Sequence, residues 1–141
     1  MCRPVRIVVH AVGRTRERGW ETLAASEYER RLLRGKPPIL VRTTFYSTGE
    51  ALANAVEGSS GIVLDRMGVQ MSSMVFAEML QSTASGHVAF AIGGAEGLRL
   101  PASWLRISLS QMTWPHRLAR LLLLEQIFRS REIWAQSGYH K

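Results

Sequence analysis

Two spacings of apolar residues alternate along the chain. Arg6-Ile7-Val8-Val9-His10-Ala11-Val12, closed by Gly13, is a nearly unbroken apolar run, the pattern of a strand buried on both faces. From Trp20 to Leu33 the period changes, with Leu23, Ala24, Tyr28 and Leu32 on one helical face and charges opposite. Pro37-Pro38 breaks that helix, and Ile39 to Phe45 reads as a second strand. A short helix follows over Gly49 to Val56. Beyond the Gly58-Ser59-Ser60-Gly61 turn, Ile62-Val63-Leu64-Asp65 is a third strand short enough to be fully buried. A helix from Ser72 to Ser82 turns Val75, Phe76, Met79 and Leu80 inward. Val88 to Ile92 is a fourth strand, a fifth centres on Ile107, and the last helix spans Pro115 to Trp134. Strands alternating with helices predict one α/β domain over residues 1–141, a mostly parallel sheet covered by helices on both faces.

The last helix carries more apolar residues than one stripe can hold. Leu118, Leu121 to Leu124, Ile127 and Phe128 are buried either against a second copy of the chain, since two-fold dimers are the commonest oligomers, or at the centre of the monomer core. Glu125 and Arg129 stand four apart, in the order that favours an intrahelical ion pair.

The ends of the strands are the most informative positions. Val88 to Ile92 stops at Gly93-Gly94-Ala95-Glu96-Gly97, and Ile107-Ser108-Leu109-Ser110 leads through Met112-Thr113-Trp114 into Pro115, whose fixed φ suits a first helical turn. With Leu64-Asp65 these make three neighbouring main-chain corners at the carboxyl ends of parallel strands, where open α/β sheets hold ligands. A Gly-Gly pair alone marks an ordinary tight turn; beside the other two corners it outlines a slot for one apolar, planar ligand. Gly35-Lys36-Pro37 fails the phosphate-loop pattern, and Gly93, Gly94 and Gly97 have the wrong spacing for a dinucleotide fingerprint. His116 reads either as a packing residue at the helix start or as a proton acceptor near neutral pH. Tyr139-His140-Lys141, on its own, reads as a tail.

Composition narrows the partners. The net charge is +7, and its distribution is uneven: about +5 over residues 1–36, −3 over 37–98 and +5 over 99–141. Sixteen of the eighteen cations are arginine, whose planar fork suits phosphate, with clusters at Arg14-Arg16-Arg18 and Arg30-Arg31-Arg34-Lys36. These fit either a phosphate-tracking surface or a solvated basic face. No apolar stretch approaches the roughly eighteen residues of a membrane span, and the start lacks a signal-peptide core, so a cytoplasmic protein is expected. The single cysteine, Cys2, forms no internal disulfide, and no His/Cys pair has metal-ligand spacing; no metal is expected.

These residues, taken in order, resemble a known family. Leu64-Asp65, Ile92 through Gly97, Leu109-Ser110 with Met112-Thr113-Trp114-Pro115-His116, Leu118 through Arg129, and terminal Tyr139-His140 are similar to the small bacterial ribosomal RNA large subunit methyltransferase H family of the SPOUT class. Ala11-Val12-Gly13-Arg14 and Glu27-Tyr28-Glu29-Arg30-Arg31-Leu32 fit its amino-terminal half. The resemblance implies a five- to six-stranded α/β fold with a C-terminal trefoil knot, S-adenosylmethionine as cofactor, and a homodimer. It implies methylation of N3 of a pseudouridine in 23S rRNA within the assembled ribosome. By the same resemblance Leu64, Gly94, Leu109, Ser110, Gln111, Met112, Thr113 and Trp114 bind the cofactor. His140 is then the first choice of base, Tyr139 a stacking platform or alternate proton acceptor, and Glu125 and Arg129 orient the tail or the nucleotide. The chain departs from many relatives at Gly138, where they have proline, and at Lys141, where they have arginine. Two rivals stand beside this reading: a non-enzymatic rRNA-binding or assembly factor, and a SPOUT methyltransferase acting on tRNA.

Overall fold

A computed structural model describes residues 4–13, 19–83, 86–94 and 97–140. Cys2, the Arg14-Arg16-Arg18 cluster, Ala95-Glu96 and Lys141 lie outside the described residues. Five strands, β1 (Val5–Val12), β2 (Ile39–Tyr46), β3 (Gly61–Gln70), β4 (His87–Ile92) and β5 (Trp104–Ser108), alternate with helices α1 (Trp20–Arg34), α2 (Gly49–Ala55), α3 (Ser73–Thr83) and α4 (His116–Ala135). The sheet order is β2-β1-β4-β3-β5 with every neighbouring pair parallel, and among the described residues there is no sixth strand.

Strand alternation divides the core in two. Val5, Ile7, Val9 and Ala11 of β1 join Phe90, Ile92 and Ile107 in the larger cluster beneath α1, α3 and α4. Val63, Ala91 and Trp104 point the other way and pack with Leu52 and Val56 of the α2 segment and with Leu100. Gly61 makes the second cluster possible, because a Cβ there would stand 2.6 Å from the Trp104 ring. The indole closes over the start of β3 only if that position has no side chain.

α4 lies at the centre of the helical layer, packed against α1, α3, β1 and β4. Leu121, Leu123, Leu124, Ile127 and Phe128 are all buried within the one chain. Most of the apolar surplus of this helix therefore has a home in the protomer, while Leu118 and Leu122 stay partly exposed. Arg120 pairs with Glu29 of α1 at 2.8 Å, Trp134 Nε1 donates to Ala77 O of α3 at 2.9 Å, and Ser73 Oγ donates to Gln126 Oε1 at 2.7 Å. Arg131 is 4% exposed and, among the described residues, has no carboxylate partner; its guanidinium instead donates to Leu32 O, and to Arg31 O at 3.0 Å, at the end of α1. It thereby satisfies carbonyls that a helix terminus leaves open.

Three expectations need correction. Leu23 is 74% exposed, because the buried stripe of α1 runs through Ala25, Tyr28 and Leu32, and a residue two positions from Ala25 lies about 200° around the helix. Val75 is likewise 49% exposed, one position off the stripe that buries Phe76, Ala77 and Leu80. β3 does not end at Asp65: it leaves β5 after Leu64–Ile107, loops out, and pairs again at Val69–Ile107 and Gln70–Ser108. Gly68 allows this, since a Cβ there would stand 2.6 Å from the Arg106 carbonyl carbon.

Candidate functional site

The sheet order sets β4, β3 and β5 side by side, and their carboxyl ends open onto a cavity of about 420 Å³, within the usual range for small-ligand sites. From β4 and its loop come Ile92, Gly93, Gly94, Gly97 and Leu98. From the segment after β5 come Leu109, Ser110, Met112, Thr113 and Trp114, while His116 and Ala119 of α4 close the floor. The corners are held locally. Gly97 N–H donates to Gly94 O at 3.0 Å with Gly97 at φ +75°, a turn that favours glycine. Gly93 is required by packing, since a Cβ there would meet Leu98 Cγ at 2.9 Å. At Gly94 an added Cβ would make only ordinary contact with Val12, at 3.5 Å. Beyond β5 two serines pin the shelf: Ser108 Oγ donates to Ser110 O at 2.9 Å, and Ser110 Oγ accepts from Met112 N–H at 3.0 Å.

The looped-out part of β3 forms the lip of the cavity, contributing Asp65, Arg66 and Met67. Asp65 Oδ1 accepts from Met67 N–H at 2.9 Å and Oδ2 from Arg106 Nη1 at 2.6 Å. The Met67 amide above all, then Arg106, holds this carboxyl below its ordinary pKa. Among the described lining residues Asp65 is the one carboxylate. Met67 and Met112 are 81% and 69% exposed, so apolar side chains flank the opening.

Of the eight residues expected to bind a cofactor, seven line this cavity; Gln111, exposed on the shelf, is not among them. The sequence places Asp65 in the Leu64-Asp65 corner without a role for its side chain, and it points to neither Arg66 nor Met67. The one local cue was Gly68, four residues after Leu64, where the lip passes close over the β5 backbone. Leu98 and His116 also join the lining, His116 with its imidazole beside Gly13 at the end of β1.

Glu125, Arg129, Tyr139 and His140 come together elsewhere. α4 ends at Gln136 in a left-handed conformation, and Gly138, at φ +82°, turns the tail back onto the helix. Proline cannot adopt that φ, so this path of the tail would be closed to a chain with proline at position 138. Tyr139 then packs edge-on against Phe128 at 5.2 Å and under the Arg129 guanidinium at 4.9 Å, and its hydroxyl donates to Glu125 Oε1 at 3.3 Å. Arg129 pairs with Glu125 at 2.8 Å, as its spacing predicts, and this bond raises the Arg129 pKa. Burial, followed by the Glu125 charge, raises the Tyr139 phenol above its ordinary value. Arg129 Nη1 lies 3.0 Å from His140 Nδ1; because guanidinium only donates, Nδ1 accepts, and a neutral ring carries its proton on Nε2. None of these four residues lines the cavity. Glu125 stands nine residues beyond His116, roughly 13 Å along the helix axis.

Among the described residues no group of three His, Cys, Asp or Glu could hold a metal ion, and no helix is long and apolar enough to cross a membrane. A family model described as "Predicted SPOUT methyltransferase" matches residues 5–140. Proteins named ribosomal RNA large subunit methyltransferase H are similar along their whole length. That of Synechococcus sp. (strain CC9605) is 37% identical over 98% of each chain. That of Paracoccus denitrificans (strain Pd 1222) is 37% identical over 97% of this chain and 99% of its own. For that of Prochlorococcus marinus (strain MIT 9211) the identity is 33%, over 100% and 99%. With its parallel sheet and its cavity at the ends of β3, β4 and β5, this chain belongs to the SPOUT methyltransferases and, within them, to the ribosomal RNA large subunit methyltransferase H family.

Proposed function

We propose that the protein transfers a methyl group from S-adenosylmethionine to N3 of a pseudouridine in 23S rRNA of the assembled ribosome, and that it does so as a homodimer. One observation carries the reading: a cavity suited to a flat nucleoside and a cluster of proton-handling side chains stand apart on the same protomer. A second copy that sets its tail against the first protomer's cavity unites them. The stretch Leu109–Trp114 returns to the corner lined by Gly93, Gly94, Gly97 and Leu98 although β3 separates their strands, which is the arrangement a C-terminal trefoil threading would produce.

The cavity fits the cofactor because apolar side chains such as Leu64, Ile92, Leu109 and Trp114 and the glycine corners surround a slot of suitable volume with a carboxylate at its lip. When bound, S-adenosylmethionine supplies an electrophilic methyl on a sulfonium. Leu64, Gly94 and the shelf Leu109–Trp114 hold the adenosyl part, and their fixed corners supply alignment. The target nitrogen must lose its proton, because the neutral imide has no free in-plane lone pair. His140 takes it at Nδ1 once Arg129 has moved its hydrogen bond onto the substrate. Tyr139, kept protonated by its raised pKa, serves as a stacking surface. Glu125 holds Arg129 and Tyr139 in register. Exposed Arg30, Arg31, Arg34 and Lys36 and the lip residue Arg66 supply contacts to phosphate.

Calorimetric titration with S-adenosylmethionine, followed by tritium transfer from the labelled cofactor, tests this. Binding and labelling of ribosomes, with free tRNA unlabelled, is the expected result. Salt-sensitive ribosome binding without cofactor affinity would refute it in favour of an assembly factor, and labelled tRNA would assign a different substrate.

A further inference from the structure

The lip of the cavity carries a carboxylate that none of the steps above uses. Asp65 sits where β3 leaves β5, on a loop anchored at both ends by resumed pairing at Leu64 and Val69, so its position is fixed by the sheet. Each carboxylate oxygen accepts one hydrogen bond, from Met67 N–H and from Arg106 Nη1. A carboxylate offers about four acceptor sites, so roughly two remain. Arg106 already neutralises the charge, which weakens the attraction for a second cation, whereas the remaining lone pairs still accept from neutral hydroxyls. The preceding residue, Leu64, is one of the apolar corners that would hold the base. A sugar joined to that base falls within reach of its neighbour. On the shelf, Ser110 Oγ already takes the Met112 amide.

We propose that Asp65 accepts hydrogen bonds from the ribose hydroxyls of the bound nucleoside cofactor, and that Arg106, from β5, is the positioning residue that aims it. This rests on the cavity being the S-adenosylmethionine site. The pair then acts as a bracket that reads the sugar and separates ribonucleosides from deoxyribonucleosides, while the apolar corners read the base.

The test uses the whole protein and three ligands: S-adenosylmethionine, 5′-methylthioadenosine, which lacks the amino-acid part, and the 2′,3′-dideoxy analogue of methylthioadenosine. Asp65→Asn keeps an acceptor for the Met67 amide. It should weaken the first two ligands alike, by about 10- to 100-fold, the range for a hydrogen bond to a charged group. The dideoxy analogue should bind wild type that much more weakly than methylthioadenosine and should bind Asp65→Asn no more weakly than wild type. Arg106→Gln should cost less, about 3- to 10-fold for the ribose ligands and nothing for the dideoxy ligand. Arg106→Lys should recover part of that loss. If wild type does not distinguish ribose from dideoxyribose, the inference fails even should the variants not fold. Weakening confined to S-adenosylmethionine would place the carboxylate against the amino-acid part and overturn the sugar assignment. Wild type that binds methylthioadenosine while Asp65→Asn matches it throughout refutes the bracket alone; wild type that binds none of the ribose ligands refutes the cofactor site beneath it.

Discussion

The cavity and the tail cluster are built from different materials. The cavity is framed by main-chain corners and glycines at strand ends, fixed by strand pairing or by hydrogen bonds within a few residues, such as Ser110 Oγ to the Met112 amide. The tail cluster is made of long side chains on a helix surface and a returning terminus, joined by hydrogen bonds and ring contacts, with Tyr139 still 43% exposed. Binding is thus set into the sheet. On the proposed mechanism the proton chemistry rests instead on a returning terminus held by side-chain hydrogen bonds and ring contacts.

The sharpest way to break this division is to remove residues 139–141. Methyl transfer should fall by about a thousandfold or more, while affinity for S-adenosylmethionine, measured by calorimetry, stays within about twofold of wild type. Loss of cofactor affinity would mean that the tail belongs to the binding half. Single changes resolve the tail further. His140→Ala should lower the single-turnover rate by about 100- to 10,000-fold, the usual worth of a positioned base. Tyr139→Phe, which keeps the ring, should cost less than about tenfold, because a phenol with a raised pKa stays protonated at neutral pH. The reverse ranking would move the base to Tyr139.

On the cavity side, Gly93→Ala forces a methyl against Leu98 and should destabilise the protein by about 1–3 kcal/mol in urea melts, together with weaker cofactor binding. The smallest effect is that of pH. Asp65 has a depressed pKa in the folded state, so its contribution to stability is present above the unfolded pKa and fades as pH falls through the folded one. Replacing it by Asn should flatten the acid limb of the stability curve, at pH values below the ordinary carboxylate range, and leave the tail chemistry alone. An unchanged acid limb would show that the lip is not ordered by this carboxylate.

The cavity was more legible than the tail because its signals are local. Gly93-Gly94 after a strand, Pro115 before a helix and the run Leu109–Trp114 each announce a corner within a few residues, and parallel alternation brings the corners together. The lip was not legible: Val69 and Gln70 rejoin β5 only because Gly68 clears the Arg106 backbone 38 residues away. The apolar α4 was ambiguous for the same reason. A helix with more apolar residues than one stripe holds fits a dimer seam or a core, and only its seat between α1 and α3 assigns Leu123, Leu124 and Ile127 to the protomer. The hydrogen bond between Arg129 and His140 depends on Gln136 and Gly138 both taking positive φ, which apolar spacing does not reveal.

Arg131 and Gly35 constrain each other across 96 positions of sequence. The guanidinium that closes the end of α1 occupies the space a side chain at Gly35 would need, so neither position is free to change while the other stays as it is. A larger residue at 35 would evict a cation from the interior, and loss of the cation would leave the carbonyls of Arg31 and Leu32 without donors. The two positions should therefore be exchanged only together, as one inherited unit that fastens the first helix to the last.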